Sequence, residues 1–223
     1  MEKKNALIAG ATGLVGNELM QQLLADPAYD KIIVLVRKPM SFQHPRLIQQ
    51  QVDFEQLGKL IPVLPVDEVF CSLGTTIKKA GSQDAFRKVD FEYVISLGKF
   101  CEKNRVRHLL VVSAMGADAA SRIFYNRVKG EMEAGIRKLS VPYKSVFRPS
   151  LLMGKRAEFR LGERIAQSVM GGLGFIFAGF LKKYKPIQAR EVASAMIRTA
   201  KTRKEPYLII ESAEMPEMRK TKA

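Results

Sequence analysis

Short apolar runs alternate with longer amphipathic stretches along the first two thirds of the chain. Helical spacing of the apolar positions predicts helices over Leu14–Ala25, Phe54–Ile61, Gln83–Asn104 and Ser121–Leu139. The short runs between them have the length and composition of buried strands: Asn5–Ala9, Lys31–Val36, Leu47–Val52, Glu68–Ser72, His108–Val112 and Tyr143–Phe147. Strands that alternate with helices in this way predict crossover units and a parallel sheet. We therefore expect an α/β fold, doubly wound, with helices on both faces of the sheet.

The pattern changes after Arg148-Pro149-Ser150. Further on it predicts two helices, an apolar glycine-rich stretch and a late strand: Glu158–Met170, Arg190–Lys201, Gly171–Leu181 and Tyr207–Ile210. We expect residues 1–150 to form the core, and residues 151–223 to extend the same domain, with a frayed tail from about residue 213.

The apolar segment Phe175–Leu181 is too short to span a bilayer. It is followed by Lys182, Lys183 and Lys185, so contact with a membrane surface is one interpretation. A buried loop or a lid over a binding site is the other, and it is the one we favour.

The 37 basic residues outnumber the 22 acidic ones, so the 223-residue chain carries a net charge of +15. The basic residues are scattered, and no nucleic-acid motif accompanies them. A basic surface around an anionic ligand therefore explains the charge better than a nucleic acid partner does.

The two cysteines, Cys71 and Cys101, are far apart, and neither they nor His44 and His108 have metal-ligand spacing. A disulfide framework and a metal site are therefore not expected. The N-terminus lacks the apolar region of a signal peptide, and with this cysteine usage a cytoplasmic location is expected.

A glycine-rich turn connects the first predicted strand to the first helix. Its residues are Gly10, Ala11, Thr12, Gly13, Leu14, Val15 and Gly16. Glycines permit the tight turn and allow backbone amides to approach a pyrophosphate at the positive end of the helix. The position between a strand and a helix indicates a dinucleotide site rather than an ordinary tight turn.

Two further residues bear on the cofactor. Arg37 ends the second strand, where an acidic residue would accept hydrogen bonds from the ribose of NAD. An arginine there complements a 2′-phosphate, so NADP(H) is preferred and NAD(H) stays possible. Asp53 could contact the adenine edge, and a helix N-cap explains it equally well.

Ser113 closes the apolar run that begins at His108, and Tyr125 and Lys129 follow it. Four residues are about one helical turn, so the phenol and the ammonium project from the same face of a helix. A hydroxyl, a phenol and a lysine beside a bound nucleotide could transfer a proton to a carbonyl or from an alcohol.

These motifs resemble the atypical short-chain dehydrogenase/reductase family, and within it the Tat-interacting-protein-like branch. The resemblance rests on GATGLVG, CSLGTTIKKAG, FRKVDFEYV, YNRVKGEMEA and SVFRP. It implies a Rossmann fold with a small C-terminal substrate region, and NADP(H) as cofactor.

The resemblance also implies a role for each matching residue. Tyr125 would be the general acid/base, with its phenolate favoured by Lys129, which would also bind the nicotinamide ribose. Ser113 would donate a hydrogen bond to the substrate oxygen. The remaining cofactor contacts would come from Leu73, Gly74, Thr75, Arg148 and Pro149. Asp90 stands where classical members have an asparagine that supports a proton relay.

We therefore predict a reductase or dehydrogenase that acts on a small carbonyl or alcohol. The alternative is a cofactor-binding sensor or scaffold whose surface binds a protein partner. The helices Gln83–Asn104 and Ser121–Leu139 could pair subunits of a homo-oligomer, as in many relatives, or face solvent.

Overall fold

Among the residues that the structure describes, seven strands form one sheet in which every neighbouring pair is parallel. The computed structural model describes residues 3–154, 185–202 and 204–216. The strands are β1 (Lys4–Ala9), β2 (Tyr29–Val36), β3 (Leu47–Gln51), β4 (Glu68–Cys71), β5 (His108–Val112), β6 (Tyr143–Arg148) and β9 (Leu208–Glu211). Two short strands, β7 (Leu152–Met153) and β8 (Ile187–Gln188), pair separately.

The order across the sheet is β3-β2-β1-β4-β5-β6-β9. It reverses at β1, which pairs with β2 on one side and with β4 on the other. In open parallel sheets, ligands bind at the carboxyl ends of the strands where the order reverses. The crevice beside β1 and β4 is therefore the expected binding site.

Helices cover both faces of the sheet. Side chains along each buried strand alternate between the two faces, so both faces are apolar and each packs against helices. The helices are α1 (Leu14–Ala25), α2 (Ile77–Ala80), α3 (Gln83–Arg87), α4 (Tyr93–Lys103), α5 (Phe124–Arg137) and α6 (Ala189–Thr202). Ala6 and Ile8 of β1 pack with α1 and α6, whereas Leu7 and Ala9 pack with α4 and α5.

The predicted strands match the observed ones to within two residues, and the α/β fold class is confirmed. Helix α1 has the predicted bounds. The predicted helix Phe54–Ile61 is a 3₁₀-helix over Phe54–Lys59, and Gln83–Asn104 is divided by a π-helical turn over Lys88–Glu92. The predicted helix Ser121–Leu139 begins only at Phe124, after a loop whose carbonyls accept from Arg127.

Helix α6 and strand β9 complete the core: α6 packs beside α1, and β9 extends the sheet next to β6. The predicted helix Glu158–Met170 and the apolar stretch Gly171–Leu181 lie outside the described residues. Within the described ranges, no helix is long and apolar enough to cross a membrane.

Candidate functional site

A cleft of about 990 Å³ opens at the carboxyl edge of the sheet, where the strand order reverses. Its walls include eight of the residues predicted to hold the cofactor: Gly10, Thr12, Gly13, Arg37, Asp53, Leu73, Gly74 and Thr75. The loops after β1, β2, β3 and β4 therefore meet at this cleft.

The turn between β1 and α1 requires glycine at two positions. Gly10 has φ of 91°, and a Cβ atom there would lie 2.7 Å from the carbonyl oxygen of Ser72. A Cβ atom on Gly16 would lie 2.1 Å from the carbonyl oxygen of Gly10. The start of α1 is thus held against the turn, and its positive end faces the cleft.

Three residues of the predicted phosphate loop lie behind this surface. Val15 and Gly16 are buried, and Leu14 packs against the core. Thr12 and Gly13, in contrast, line the cleft. This is the cradle that a pyrophosphate needs, so the residues present fit an adenine dinucleotide.

The far end of the cleft is basic at its rim. Arg37 and Lys38 follow β2, are exposed, and line the cleft. Asp53 lines it too, and its Oδ1 accepts from the backbone N–H of Glu55 at 3.0 Å. The N-cap interpretation of Asp53 is therefore confirmed, and its second carboxylate oxygen accepts from the side chain of Gln56.

Glu55 and Tyr93 also line this end of the cleft, and neither was predicted there. Oε1 of Glu55 accepts from the Tyr93 hydroxyl at 2.6 Å and lies 2.7 Å from Nζ of Lys88. These contacts tie the 3₁₀-helix to α4. The sequence contains no local signal for them, because the partners are more than 30 residues apart.

Lys129 and Asp90 form a buried ion pair beside the cleft. Nζ of Lys129 lies 2.7 Å from Oδ1 of Asp90, and the two side chains are 5% and 1% exposed. Oδ2 of Asp90 accepts from the backbone N–H of Thr75 at 2.8 Å. The sequence predicts that Thr75 contacts the cofactor. In this structure its backbone N–H is hydrogen-bonded to Asp90.

Tyr125 lies next to this pair on the first turn of α5. Burial raises the pKa of the Tyr125 phenol, the charge of Lys129 lowers it, and the carboxylate of Asp90 raises it again. The net direction of the pKa shift of Tyr125 is upward. Burial alone would lower the pKa of Lys129, but Asp90 and Tyr125 outweigh it and raise that pKa.

Ser113 belongs to a second polar network. Its hydroxyl donates to Oε1 of Glu133 at 2.5 Å, and both residues are buried. Glu133 also accepts from Nε and Nη2 of Arg148, at 3.0 and 2.6 Å. Nη1 of Arg148 lies 3.1 Å from Glu211.

The polar atoms of Ser113 and Arg148 thus make contacts within the protein, and their roles toward substrate and cofactor stay predictions. Pro149 contributes its carbonyl oxygen, which accepts from the backbone N–H of Met115 at 3.0 Å. Glu133 was missed by the sequence analysis. The sequence contains a signal that could have identified Glu133, because it follows Tyr125 and Lys129 at the same four-residue spacing on one helix face.

Gly130 sets the position of α5. A Cβ atom there would lie 2.1 Å from the backbone nitrogen of Ala119 and 2.2 Å from the carbonyl carbon of Asp118. The loop after β5 thus runs directly against the helix that carries Tyr125. In the part of the chain described here, no three side chains are grouped as metal ligands.

Comparisons with known proteins show the family of the chain. The model of a family described as NAD(P)H-binding matches residues 10–166, a region that includes the glycine turn, Tyr125 and Lys129. Protein HTATIP2 of Rattus norvegicus is 36% identical over 177 residues, which are 78% of this chain and 73% of the relative. The mitochondrial protein FMP52 of Candida albicans is 33% identical over 200 residues, which are 86% of each chain.

A solved structure shows the same fold at low identity. It is an oxidoreductase of the short-chain dehydrogenase/reductase family from Burkholderia thailandensis, with a TM-score of 0.69 and 16% identity. The match covers 95% of this chain and 92% of that one.

Proposed function

We propose that this chain, which belongs to the NAD(P)H-binding family, is an NADP(H)-dependent oxidoreductase acting on a small carbonyl or alcohol. Its membership of that family confirms the resemblance seen in its motifs. The observation that carries the proposal is the buried Lys129–Asp90 pair. It lies next to the Tyr125 phenol, and through Thr75 it connects to the wall of the dinucleotide cleft.

A bound nicotinamide cofactor would supply or accept the hydride. Tyr125 would supply the matching proton at the substrate oxygen in the reductive direction. A phenol with a raised pKa stays protonated at neutral pH, so it suits proton donation to a carbonyl. Lys129 would keep a positive charge beside the oxygen of Tyr125. That charge would stabilise the negative charge that develops on this oxygen as the phenol gives up its proton.

The preference for NADP(H) rests on the basic rim of the cleft. Arg37 and Lys38 are exposed at the tip of β2, where a carboxylate would select NAD(H). A guanidinium and an ammonium there would complement a 2′-phosphate.

The experiment is NADPH oxidation measured against aldehydes, ketones and quinones. Tyr125→Phe should abolish turnover while the affinity for NADPH stays within about threefold of the native value, because Tyr125 lies outside the cleft walls. Phe124→Tyr is a matched control that adds a phenol next to the proposed one. A Tyr125→Phe variant that retains turnover contradicts the proposed role of the phenol.

One observation favours a second function. Nζ of Lys129 is paired with Asp90, so its charge is already engaged within the protein and is not directed at the phenol of Tyr125 alone. Tight NADPH binding with no turnover across the whole panel would support a sensor or scaffold.

The cytoplasmic location stays a proposal. It rests on cysteine usage, whereas the name of the Candida albicans relative places that protein in mitochondria. Fractionation of cells that express the tagged chain would test it.

A further inference from the structure

Asp90 lies on the π-helical turn between α3 and α4 rather than on a regular helix. The turn spans Lys88–Glu92, and the side chain of Asp90 is only 1% exposed. Turns of this kind are rare and are frequent at functional sites. A buried carboxylate is costly unless its oxygens have partners, so the partners of Asp90 indicate its role.

The two carboxylate oxygens of Asp90 bind two different elements. Oδ1 lies 2.7 Å from Nζ of Lys129 on α5, and Oδ2 accepts from the backbone N–H of Thr75, in the loop after β4, at 2.8 Å. Gly74 lines the cleft and approaches the same carboxylate, because a Cβ atom there would lie 3.4 Å from Oδ1. One side chain therefore connects the wall of the dinucleotide cleft to the lysine of the proposed proton step.

Two further contacts attach this region to α5. Arg87, the last residue of α3, forms an ion pair with Glu131, two residues beyond Lys129. The ring of Phe86 packs against the ring of Tyr125, with 5.5 Å between the centroids. The turn and the start of α5 are thus held together by contacts other than the buried ion pair.

Among the described residues, two charged side chains act on the phenol of Tyr125, and they act in opposite directions: Lys129 lowers its pKa and Asp90 raises it. Cys71, at the end of β4, lies near Lys129, but burial raises the pKa of its thiol to about 11, so the thiol is neutral near pH 7. Thr75 contributes an uncharged amide. The phenol therefore faces an ion pair without net charge rather than a lone ammonium.

We propose that Asp90 is a positioning residue that holds Lys129 beside Tyr125 and offsets its charge, so that the phenol keeps its proton over a wide pH range. Asp90 acts on the phenol through Lys129 and through its own charge. The pairing is independent of the reaction, whereas its effect on the proton step rests on the proposed function.

The pH dependence of reduction tests the effect of the charge, with whichever carbonyl compound the panel identifies. In the native chain, kcat/KM should change by less than about twofold between pH 7 and pH 9, because the phenol stays protonated. In Asp90→Asn it should fall by at least about fivefold over the same range, because the uncompensated ammonium favours the phenolate.

Glu68→Gln is the matched control. Glu68 is a buried carboxylate that binds Lys4 and Tyr29 at the opposite end of β4 from the cleft. Its replacement should destabilise the chain and leave the pH profile of reduction unchanged.

Titration of the phenol by its near-ultraviolet absorbance gives the same information without turnover. The difference between each chain and its Tyr125→Phe counterpart isolates one tyrosine, and this phenolate should form at lower pH in Asp90→Asn than in the native chain. If Asp90→Asn does not fold, the double variant of Asp90→Asn with Lys129→Gln replaces it, because it has no unpaired charge. Its phenol should titrate in the same pH range as the native one. A clearly higher range would mean that Asp90 does not offset the charge of Lys129.

An unchanged phenol titration in Asp90→Asn would overturn the proposal. So would a loss of activity that is equal at every pH, or a pH profile that changes equally in Glu68→Gln, because a structural defect alone acts in that way. If the native chain reduces nothing, the proposed function fails, and the titration still decides whether Asp90 offsets the charge of Lys129.

Discussion

Nζ of Lys129 and Oδ1 of Asp90 lie 2.7 Å apart in a part of the protein from which water is almost excluded. Two charges buried together are stable only while both are present, because each desolvated charge needs the other. The pair joins α5 to the π-helical turn, and through the amide of Thr75 it joins both to the cleft. Asparagine in place of Asp90 would keep an acceptor for Thr75 but not the charge.

Asp90→Asn should therefore reduce the free energy of unfolding by about 3 kcal/mol, measured in urea, because it leaves a buried ammonium unpaired. Lys129→Gln should cost a similar amount. The double variant should lose at least about 1 kcal/mol less than the sum of the single losses, since no uncompensated charge remains. Additive losses would show that the two side chains do not interact.

Arg37 should determine the choice between cofactors. Arg37→Asp replaces a cation with a carboxylate at the rim of the cleft, and it should weaken NADPH binding by about 10- to 100-fold while changing NADH binding by less than about threefold. Lys99→Asp makes the same change of charge at an exposed position of α4 and should alter neither affinity. Equal losses of NADPH and NADH in Arg37→Asp would remove the argument for a 2′-phosphate contact.

The raised pKa of Tyr125 predicts that kcat/KM depends on pH differently in the reductive and the oxidative direction. Reduction needs the protonated phenol, so its kcat/KM should be nearly constant from about pH 6 to pH 8. Oxidation needs the phenolate, so its kcat/KM should rise about tenfold per pH unit until the pH passes the pKa, above the usual value near 10. A plateau of the oxidation rate near pH 7 would mean that the pKa in the free protein is lowered instead.

Gly130 should be irreplaceable, because α5 contacts the loop after β5 through backbone atoms at that point. Gly130→Ala should reduce the free energy of unfolding by about 2–3 kcal/mol and lower turnover, since the new methyl group must push the helix that carries Tyr125 away. Gly58→Ala is the control, because a Cβ atom at Gly58 meets nothing within 4 Å. If both variants unfold alike, the close approach at Gly130 does not exist in solution.

The fold was predictable because the information for it is local. His108–Val112 is an uninterrupted apolar run, and the strand has those bounds. Gly10 and Gly16 were predictable from the spacing of glycines between a strand and a helix, although a Cβ atom at Gly10 would collide with Ser72, which is distant in sequence. Local pattern also placed Arg37 at the end of β2, where it lines the cleft.

The pairing of polar groups in the site was not predictable, because it depends on how α5 packs on the sheet. Ser113 and Glu133 are 20 residues apart, and Lys129 and Asp90 are 39 apart. Each of these side chains has several candidate partners in the sequence, and only the tertiary structure selects one. The resemblance to a family supplied the predicted roles of Ser113 and Tyr125, and those roles stay predictions.

The most direct measurement is calorimetric titration of the purified chain with NADPH. We expect one site per chain in the native protein, and a loss of at least tenfold in affinity in Thr12→Glu, which would place a carboxylate against the phosphates in the cleft wall. Thr12→Gln, which has the same size without the charge, should bind nearly as the native chain does. Binding that Thr12→Glu leaves unchanged, or no binding of NADPH or NADH at all, would contradict the assignment of this cleft to a nicotinamide dinucleotide.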